Sequence, residues 1–355
     1  MQISDLRDEV RTALRAFAWD QWAQMGVLAS TQRHDGWAAD PEALMLLTFE
    51  AGRDDPRLFD EVLGWLLVNE RLTSVQRLRN LARDADDRAL VEASLGWVAR
   101  WRPRARLTAK PSSAADRQLA PVPLFRNTQM AIAEPDRSFL AHGLLKAQIE
   151  PSRKSRPPDI GAPINFALRM RHLLGVGARA EVVRILLCSE APDLSTLAVA
   201  ESAAYAKRNV QEALTSLCAA GVIDAISIAN TQRYRAPRAR WSQLLDLTPD
   251  RLATHRAWPQ LFHPLRRIMR WLVDPAHDAL SDYMRASEAR LLIDEIAPEL
   301  RYAGVAVSTG HAPGAEYWPI FIEAVHATLR ALSPPRDRAD ASHSSHREGP
   351  PTQQI

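Results

Sequence analysis

Residues 178–237 decide the fold: ARAEVVRILLCSEAPDLSTLAVAESAAYAKRNVQEALTSLCAAGVIDAISIANTQRYRAP. Val182, Val183, Ile185, Leu186 and Leu187 give a first helix an apolar face wide enough to be buried on two sides. Ser195-Thr196 are N-cap residue types and open a second helix carrying Leu197, Val199 and Ala200. The small residues of Ser202-Ala203-Ala204-Tyr205 make a tight turn, and a third helix starts near Ala206. Gly221 sits where a helix C′ residue belongs. Val222 to Ile228 can run as a strand, Ala229-Asn230-Thr231 form a tip, and Gln232 to Arg235 return.

On the third helix the apolar residues fix the buried side. With Val210 at its centre, Leu214 and Leu217 lie within about 40° of it at roughly 100° per residue. Tyr205, Arg208, Glu212 and Thr215 then fall on the opposite side, with Lys207 and Gln211 on the flanks. Arginine can take guanine through O6 and N7, and glutamine can take adenine through N6 and N7. Arg208 and Gln211 lie in the first two turns, the part of such a helix that reaches base edges in the major groove. Arg233 and Arg235, two apart on a strand, share a face that can meet phosphate.

The run LSTLAVAESAAYAKRNVQEALTSLCAAGVI and the return RYRAP resemble the winged helix-turn-helix of bacterial transcription regulators of the ArsR and MarR type. The resemblance covers this central segment and implies double-stranded DNA as the ligand. The helix from Ala206 would read bases and the segment from Val222 to Ala236 would act as a clamp. The expected DNA-contacting residues are Tyr205, Lys207, Arg208, Gln211, Thr215, Arg233 and Arg235. Binding as a homodimer to paired half-sites would roughly double the specificity energy. Winged helices also serve as protein-docking modules, so an adaptor or antitoxin-like role, with a protein partner on the N-terminal region, stands beside the regulator reading.

The expected fold class is mainly α. Residues 1–101 read as a helical N-terminal domain: Leu6, Val10, Leu14 and Phe17 recur at helical spacing, and Asp40-Pro41, Asp55-Pro56 and Thr73-Ser74 are helix starts. Residues 102–163 read as a Pro- and Arg-rich linker with a short helix at 136–148, and 164–247 as the winged helix-turn-helix with its small β-wing. Residues 248–332 form a helical C-terminal region, and 333–355 a disordered tail almost without large apolar residues. Leu261, Phe262, Leu265, Ile268, Met269 and Leu272 make a stripe for core or a dimer seam, with Arg266, Arg267 and Arg270 opposite. Val305 to Val307 could be a short extended piece.

Bulk properties exclude more than they select. The 355 residues carry 46% hydrophobic and 25% charged side chains, ordinary for globular domains, and a net charge of only +3. A nucleic-acid reading therefore rests on a local patch. Two cysteines, Cys188 and Cys218, make no disulfide framework; with no signal peptide and no spanning run, a cytoplasmic location is expected. Gly175-Val176-Gly177-Ala178-Arg179 lacks the continuation of a phosphate loop, and no GxGxxG, HExxH or CxxC occurs. His255 and His263 lack a third metal ligand, and His343 and His346 fall in the tail. Asp294, Glu295 and Glu299 read as a solvated helix face. No cofactor and no enzymatic activity are expected. Trp19, Trp22, Trp37, Trp65, Trp97 and Trp101 read as packing residues, with base stacking as the alternative. Arg102, Arg104, Arg106 and Lys110 could touch phosphates nonspecifically.

Overall fold

The computed structural model describes residues 1–27, 36–103, 109–111, 120–126, 131–228, 230–247, 252–308 and 312–333. Arg104, Arg106, the hairpin-tip residue Ala229, His343, His346 and the tail beyond Ser333 lie outside them. The chain is mainly helical with two small sheets. Helices α1 (Ile3–Gln24), α2 (Pro41–Ala51), α3 (Pro56–Val68), α4 (Val75–Leu81) and α5 (Ala85–Trp101) come first. A segment with β1 (Val122–Pro123), α6 (Arg137–Leu140) and β2 (Leu144–Leu145) follows. Next come α7 (Phe166–Leu174), α8 (Ala178–Cys188), β3 (Leu194–Ser195), α9 (Thr196–Ala203), α10 (Lys207–Ala219), β4 (Asp224–Ile228), β5 (Thr231–Arg235) and α11 (Arg238–Leu245). The chain closes with α12 (Trp258–Val273), α13 (Pro275–Asp278), α14 (Asp282–Tyr302) and α15 (Tyr317–Arg330).

Local chemistry sets the helix starts. Asp40 and Asp55 accept from the amides of Ala43 and Leu58, each at 3.1 Å, with proline at the first helical position. Ser74 caps α4 through the Arg77 amide, 3.2 Å, and Ser195 caps α9 through the Ala198 amide, 3.2 Å. Every residue of α2 is buried. A helix covered on all sides is a core helix, and α1, α3, α4, α5 and α12 all pack on it.

One apolar cluster runs from Ile3 in α1 through α2–α5 to α12, α14 and α15, ending at Leu332. The N-terminal and C-terminal segments expected as separate domains therefore share one core, called the body below. The stripe on α12 packs into it against α1 and α2. A second cluster holds α7–α11 and the β3–β5 sheet together and includes Ala38 and Ala253. The described part of 102–163 is not a free tether. Val122 and Pro123 pair in parallel with Leu144 and Leu145, a pairing the sequence reading lacks, and the helix there spans only α6. Lys146 is buried with its Nζ 2.8 Å from Asp60, and Arg126 bonds Asp54 at 2.6 Å and also Glu50. Residues 305–308 form no strand.

Trp22, Trp37, Trp65 and Trp97 are core residues, as the packing reading expects. Trp22 donates to Thr48 Oγ1 at 2.7 Å and Trp65 to the Met25 carbonyl at 2.6 Å, which satisfies their indole N–H groups. Among the described residues no helix is long and apolar enough to cross a membrane.

Buried ion pairs join the parts. Asp40 and Glu42 at the start of α2 meet Arg77 of α4, and Glu42 is also forked by Arg171 of α7 with two bonds of 2.7 Å. Arg171 continues to Glu181 of α8 at 2.7 Å, and Glu181 to Arg184 at 2.9 Å. All six side chains are buried and their formal charges cancel. At the other end of α2, buried Glu50 takes Arg126 and, at 2.6 Å, Arg270 of α12; Arg266 and Arg270 also hold Asp87 of α5. The arginines expected opposite the α12 stripe thus do different work: Arg266 and Arg270 staple α12 to α2 and α5, while Arg267 pairs with Glu295 nearer the surface.

Removing one partner of a buried pair strands the other charge, which typically costs about 3–5 kcal/mol. Arg77→Met is expected to lower the unfolding free energy by about that amount in a denaturant titration. A loss under about 1 kcal/mol would show that water or rearrangement readily replaces the guanidinium.

Candidate nucleic-acid interface

Three helices and a hairpin build the candidate surface. α10 packs on α8 and α9, and β4 and β5 form an antiparallel hairpin in which Asp224 faces Arg235 and Ile228 faces Thr231. β3, between α8 and α9, adds to the other edge of β5 through Leu194–Tyr234 and Ser195–Arg233, giving sheet order β3-β5-β4. Val210, Ala213, Leu214 and Leu217 are the buried side of α10, as the periodicity requires. Ala204 turns the chain at φ +53° and Gly221 at φ +69°, which ends α10 where the sequence places its stop.

The expected contact residues divide into three groups. Lys207 and Arg208 are solvent-facing in the first turn of α10. Lys207 has no carboxylate partner among the described residues. Arg208 is 87% exposed in its side chain and bonds Glu212 one turn on at 3.0 Å. An exposed i,i+4 pair contributes only about 0.3–0.5 kcal/mol, so Arg208 is readily released to a ligand. Thr215 is also exposed, two turns further along.

Gln211, Arg233 and Arg235 are already engaged. The Gln211 carbonyl accepts from Thr196 Oγ1 at 2.9 Å, and its amide donates to Tyr234 Oη at 3.1 Å. It ties α9 and β5 to α10, and base contact would break those bonds. Arg233 is bonded to the Asp193 carboxylate and, at 3.0 Å, to the Asp193 carbonyl. Arg235 is 3.3 Å from Asp224, its cross-strand neighbour, with its side chain 54% exposed. Both arginines lie on the outer side of β5 as expected, since Tyr234 between them points into the core, but each carries a counter-charge.

Tyr205 requires a correction. It precedes the helix, whose N-cap is Ala206, so the helical projection that places it outward does not apply. The left-handed turn at Ala204 sends the ring inward: Tyr205 is buried, and its hydroxyl lies 2.7 Å from Ser74 Oγ at the start of α4. The same turn is held elsewhere. Arg77 Nε donates to the Ala203 carbonyl at 2.7 Å, Asn80 to the Ala204 carbonyl at 3.0 Å, and Gln260 to the Glu201 carbonyl at 3.1 Å. The α9–α10 turn is therefore clamped to the body. Sequence reasoning misses Asn80, which brings α4 beside the start of α10; nothing in its local pattern signals this. Arg238 and Arg240, exposed on α11 just after the hairpin, are missed as well, although the run RAPRAR signals them.

Beneath this surface, burial raises the carboxyl of Asp40, but Arg77 and then Arg184 more than offset it and hold the group below the usual range. Glu181 behaves likewise, with Arg184 and Arg171 opposing its burial. His255, whose Nδ1 lies 3.3 Å from Arg184, is pushed down to about 3 by burial and by that guanidinium. Burial takes the Cys188 thiol up to about 12, so it packs as a small apolar group. No group of His, Cys, Asp and Glu among the described residues could hold a metal ion. His263 bonds Glu299 at 3.1 Å, and Glu295 and Glu299 are paired with Arg267 and Arg83. The chain matches no known protein-family profile, no curated protein and no solved structure.

Two outcomes follow from these geometries. Tyr205→Phe should cost about 1 kcal/mol of stability through the lost Ser74 bond, read in a denaturant titration; no loss would show that the bond contributes nothing. Unfolded His255 takes a proton near its ordinary value of 6.5, whereas the folded group resists until about 3. Stability is therefore complete above pH about 7.5 and falls as pH drops through about 6.5, by at most about 1.4 kcal/mol per unit. Asp40 and Glu181 add a further loss in the carboxylate range. His255→Asn should flatten the first part of that decline in denaturant titrations between pH about 7 and 5.

Proposed function

We propose that the chain is a sequence-specific double-stranded DNA-binding transcription regulator, with residues 178–237 as a winged helix-turn-helix. The observation that carries the reading is the element order α8-β3-α9-α10-β4-β5 closed by a β3-β5-β4 sheet, with the solvent-facing first turn of α10 carrying Lys207 and Arg208. That order presents one helix for the major groove and a hairpin beside it. α10 has no side-chain N-cap, so its first amides remain open to a phosphate oxygen. Arg208 is the base-reading residue and Lys207 a backbone contact, with Thr215 further along the same exposed side. Gln211 acts as a strut that fixes α10 against Thr196 and Tyr234. Arg235, with Arg238 and Arg240, supplies charge along the backbone. One such helix offers few base contacts, so a homodimer on a roughly palindromic site is the expected assembly.

A second reading, a protein-docking module of an adaptor or antitoxin-like chain, has one observation in its favour. Leu197 on α9 is 54% exposed, an apolar side chain on the helix that should lie against phosphates.

Selection of bound duplexes from a random pool by the full chain tests the proposal. An enriched, roughly palindromic motif is expected. Arg208→Ala should cost on the order of 1–3 kcal/mol on that motif and relax the preference at one base pair. Lys207→Ala should weaken all sequences alike and lower the salt slope by about 1. Weak binding that vanishes with salt and enriches nothing would overturn the regulator reading in favour of the docking module.

A further inference from the structure

A cavity of about 670 Å³ opens where the three-helix unit meets the body. Leu194, Ala198 and Ser202 line it from the unit; Trp37, Arg256 and Tyr302 line it from the body. Its volume lies within the range of small-molecule sites. The walls are apolar over much of their area, and among the described lining residues they carry one arginine, Arg256, and one glutamate, Glu190.

Arg256 lies over two indoles, 5.0 Å from the ring centre of Trp37 and 5.5 Å from that of Trp258. The stacking holds the planar guanidinium in place. The side chain forms no ion pair or hydrogen bond with any described residue, Glu190 in the same wall included, and its Nε is buried without a partner. Burial lowers the pKa of Arg256, with no neighbouring charge opposing the shift. Elsewhere in the interior arginines are consistently matched: Arg77, Arg171, Arg184, Arg266 and Arg270 each face a carboxylate. The indole N–H of Trp37 is also buried without a partner, although the ring is 3% exposed. Arg256 thus stands without a counter-charge among the described residues, in the wall of a chamber large enough for a ligand. A buried donor left unmade costs about 1–3 kcal/mol, more for a charged one. Tyr302 Oη, in the facing wall, is held 3.1 Å from Ser202 Oγ and 3.4 Å from the Ala198 carbonyl.

We propose that this cavity binds a small organic anion, an oxyanion carried on an apolar or aromatic body, with Arg256 taking the oxyanion through its fork. The apolar body lies against Leu194 and Ala198. A carboxylate and a phosphate share the required chemistry: planar or near-planar oxygen pairs that accept two parallel N–H bonds. The walls belong to both α9 and the body, so a bound molecule braces the two against each other. Its role as an effector site rests on the proposed DNA binding; its occupancy does not.

Calorimetric titration of the full chain with phenylacetate and with phenyl phosphate tests the site, with 2-phenylethanol and benzylamine as the neutral and cationic probes. At least one anion should bind saturably, one molecule per chain, with Kd in the millimolar range or tighter. The alcohol and the amine should not. Arg256→Met should weaken anion binding at least about tenfold, and Arg256→Lys, which keeps the charge without the fork, by less. Thermal unfolding of each ligand-free variant checks that it is folded. Absence of saturable binding by both anions, equal binding of the alcohol, or unchanged affinity in folded Arg256→Met and Arg256→Lys would each overturn the proposal. Anion binding without any duplex binding would keep this site and remove the regulator reading; duplex binding without anion binding would do the reverse.

Discussion

Helix α2 constrains everything around it. It is buried on every side, yet it carries an acid at each end: Glu42, beside the capping Asp40, and Glu50. Neither end can reach water, so each must be met by cations from elsewhere in the chain. Arg77 and Arg171 meet the first; Arg126 and Arg270 meet the second. Those four arginines come from α4, α7, the β1 segment and α12. Satisfying one helix thereby brings four separate stretches of sequence to fixed places. The two ends differ in kind. A carboxylate at a helix start is favoured by the helix dipole, and Asp40 both caps α2 and pairs with Arg77. Glu50 stands near the unfavourable end. There burial alone would raise its carboxyl, and Arg270, Arg126 and Arg53 hold it below the usual range.

From this constraint follows the placement of the three-helix unit. Arg171 and Glu181 extend the network from α2 into α7 and α8, and Arg77 reaches on to the carbonyl that ends α9. The same charged chain that closes the body therefore positions the turn in front of α10. Tyr205 and Asn80 complete that seat. The direction of α10 is set by these buried groups together with the Gln211 bonds to Thr196 and to Tyr234 of the hairpin. Net charge plays little part. The cations on the outer face are few, and Arg208, Arg233 and Arg235 each have an acidic neighbour. The face therefore carries no strong positive field.

Much of the secondary structure is legible in the sequence because it is local. The Asp-Pro helix starts, the Val210–Leu214–Leu217 side of α10 and the Gly221 stop depend on residues within a few positions. The candidate site is legible in its exposed members, Lys207 and Arg208, where helical projection suffices. It fails at Tyr205, which lies one residue outside the helix, and at Gln211, whose partners Thr196 and Tyr234 come from other elements. Arg77 and Arg171 look like ordinary surface cations, because their carboxylates lie on other helices. The cavity is invisible for the same reason: Trp37, Ala198, Arg256 and Tyr302 meet only after the body and the unit dock. Separate N-terminal and C-terminal domains are a natural reading of a chain interrupted by proline-rich segments. The shared core arises because the α12 stripe finds α1 and α2.

Native-state hydrogen exchange, resolved by residue, tests most directly whether the α2-centred network makes the body and the three-helix unit one cooperative structure. Amides in the middle of α8 and of α2 should open with the same free energy, equal to that of global unfolding. Exchange of α8, α9 and α10 as a separate set at a distinctly lower free energy, with α2 still protected, would contradict that coupling.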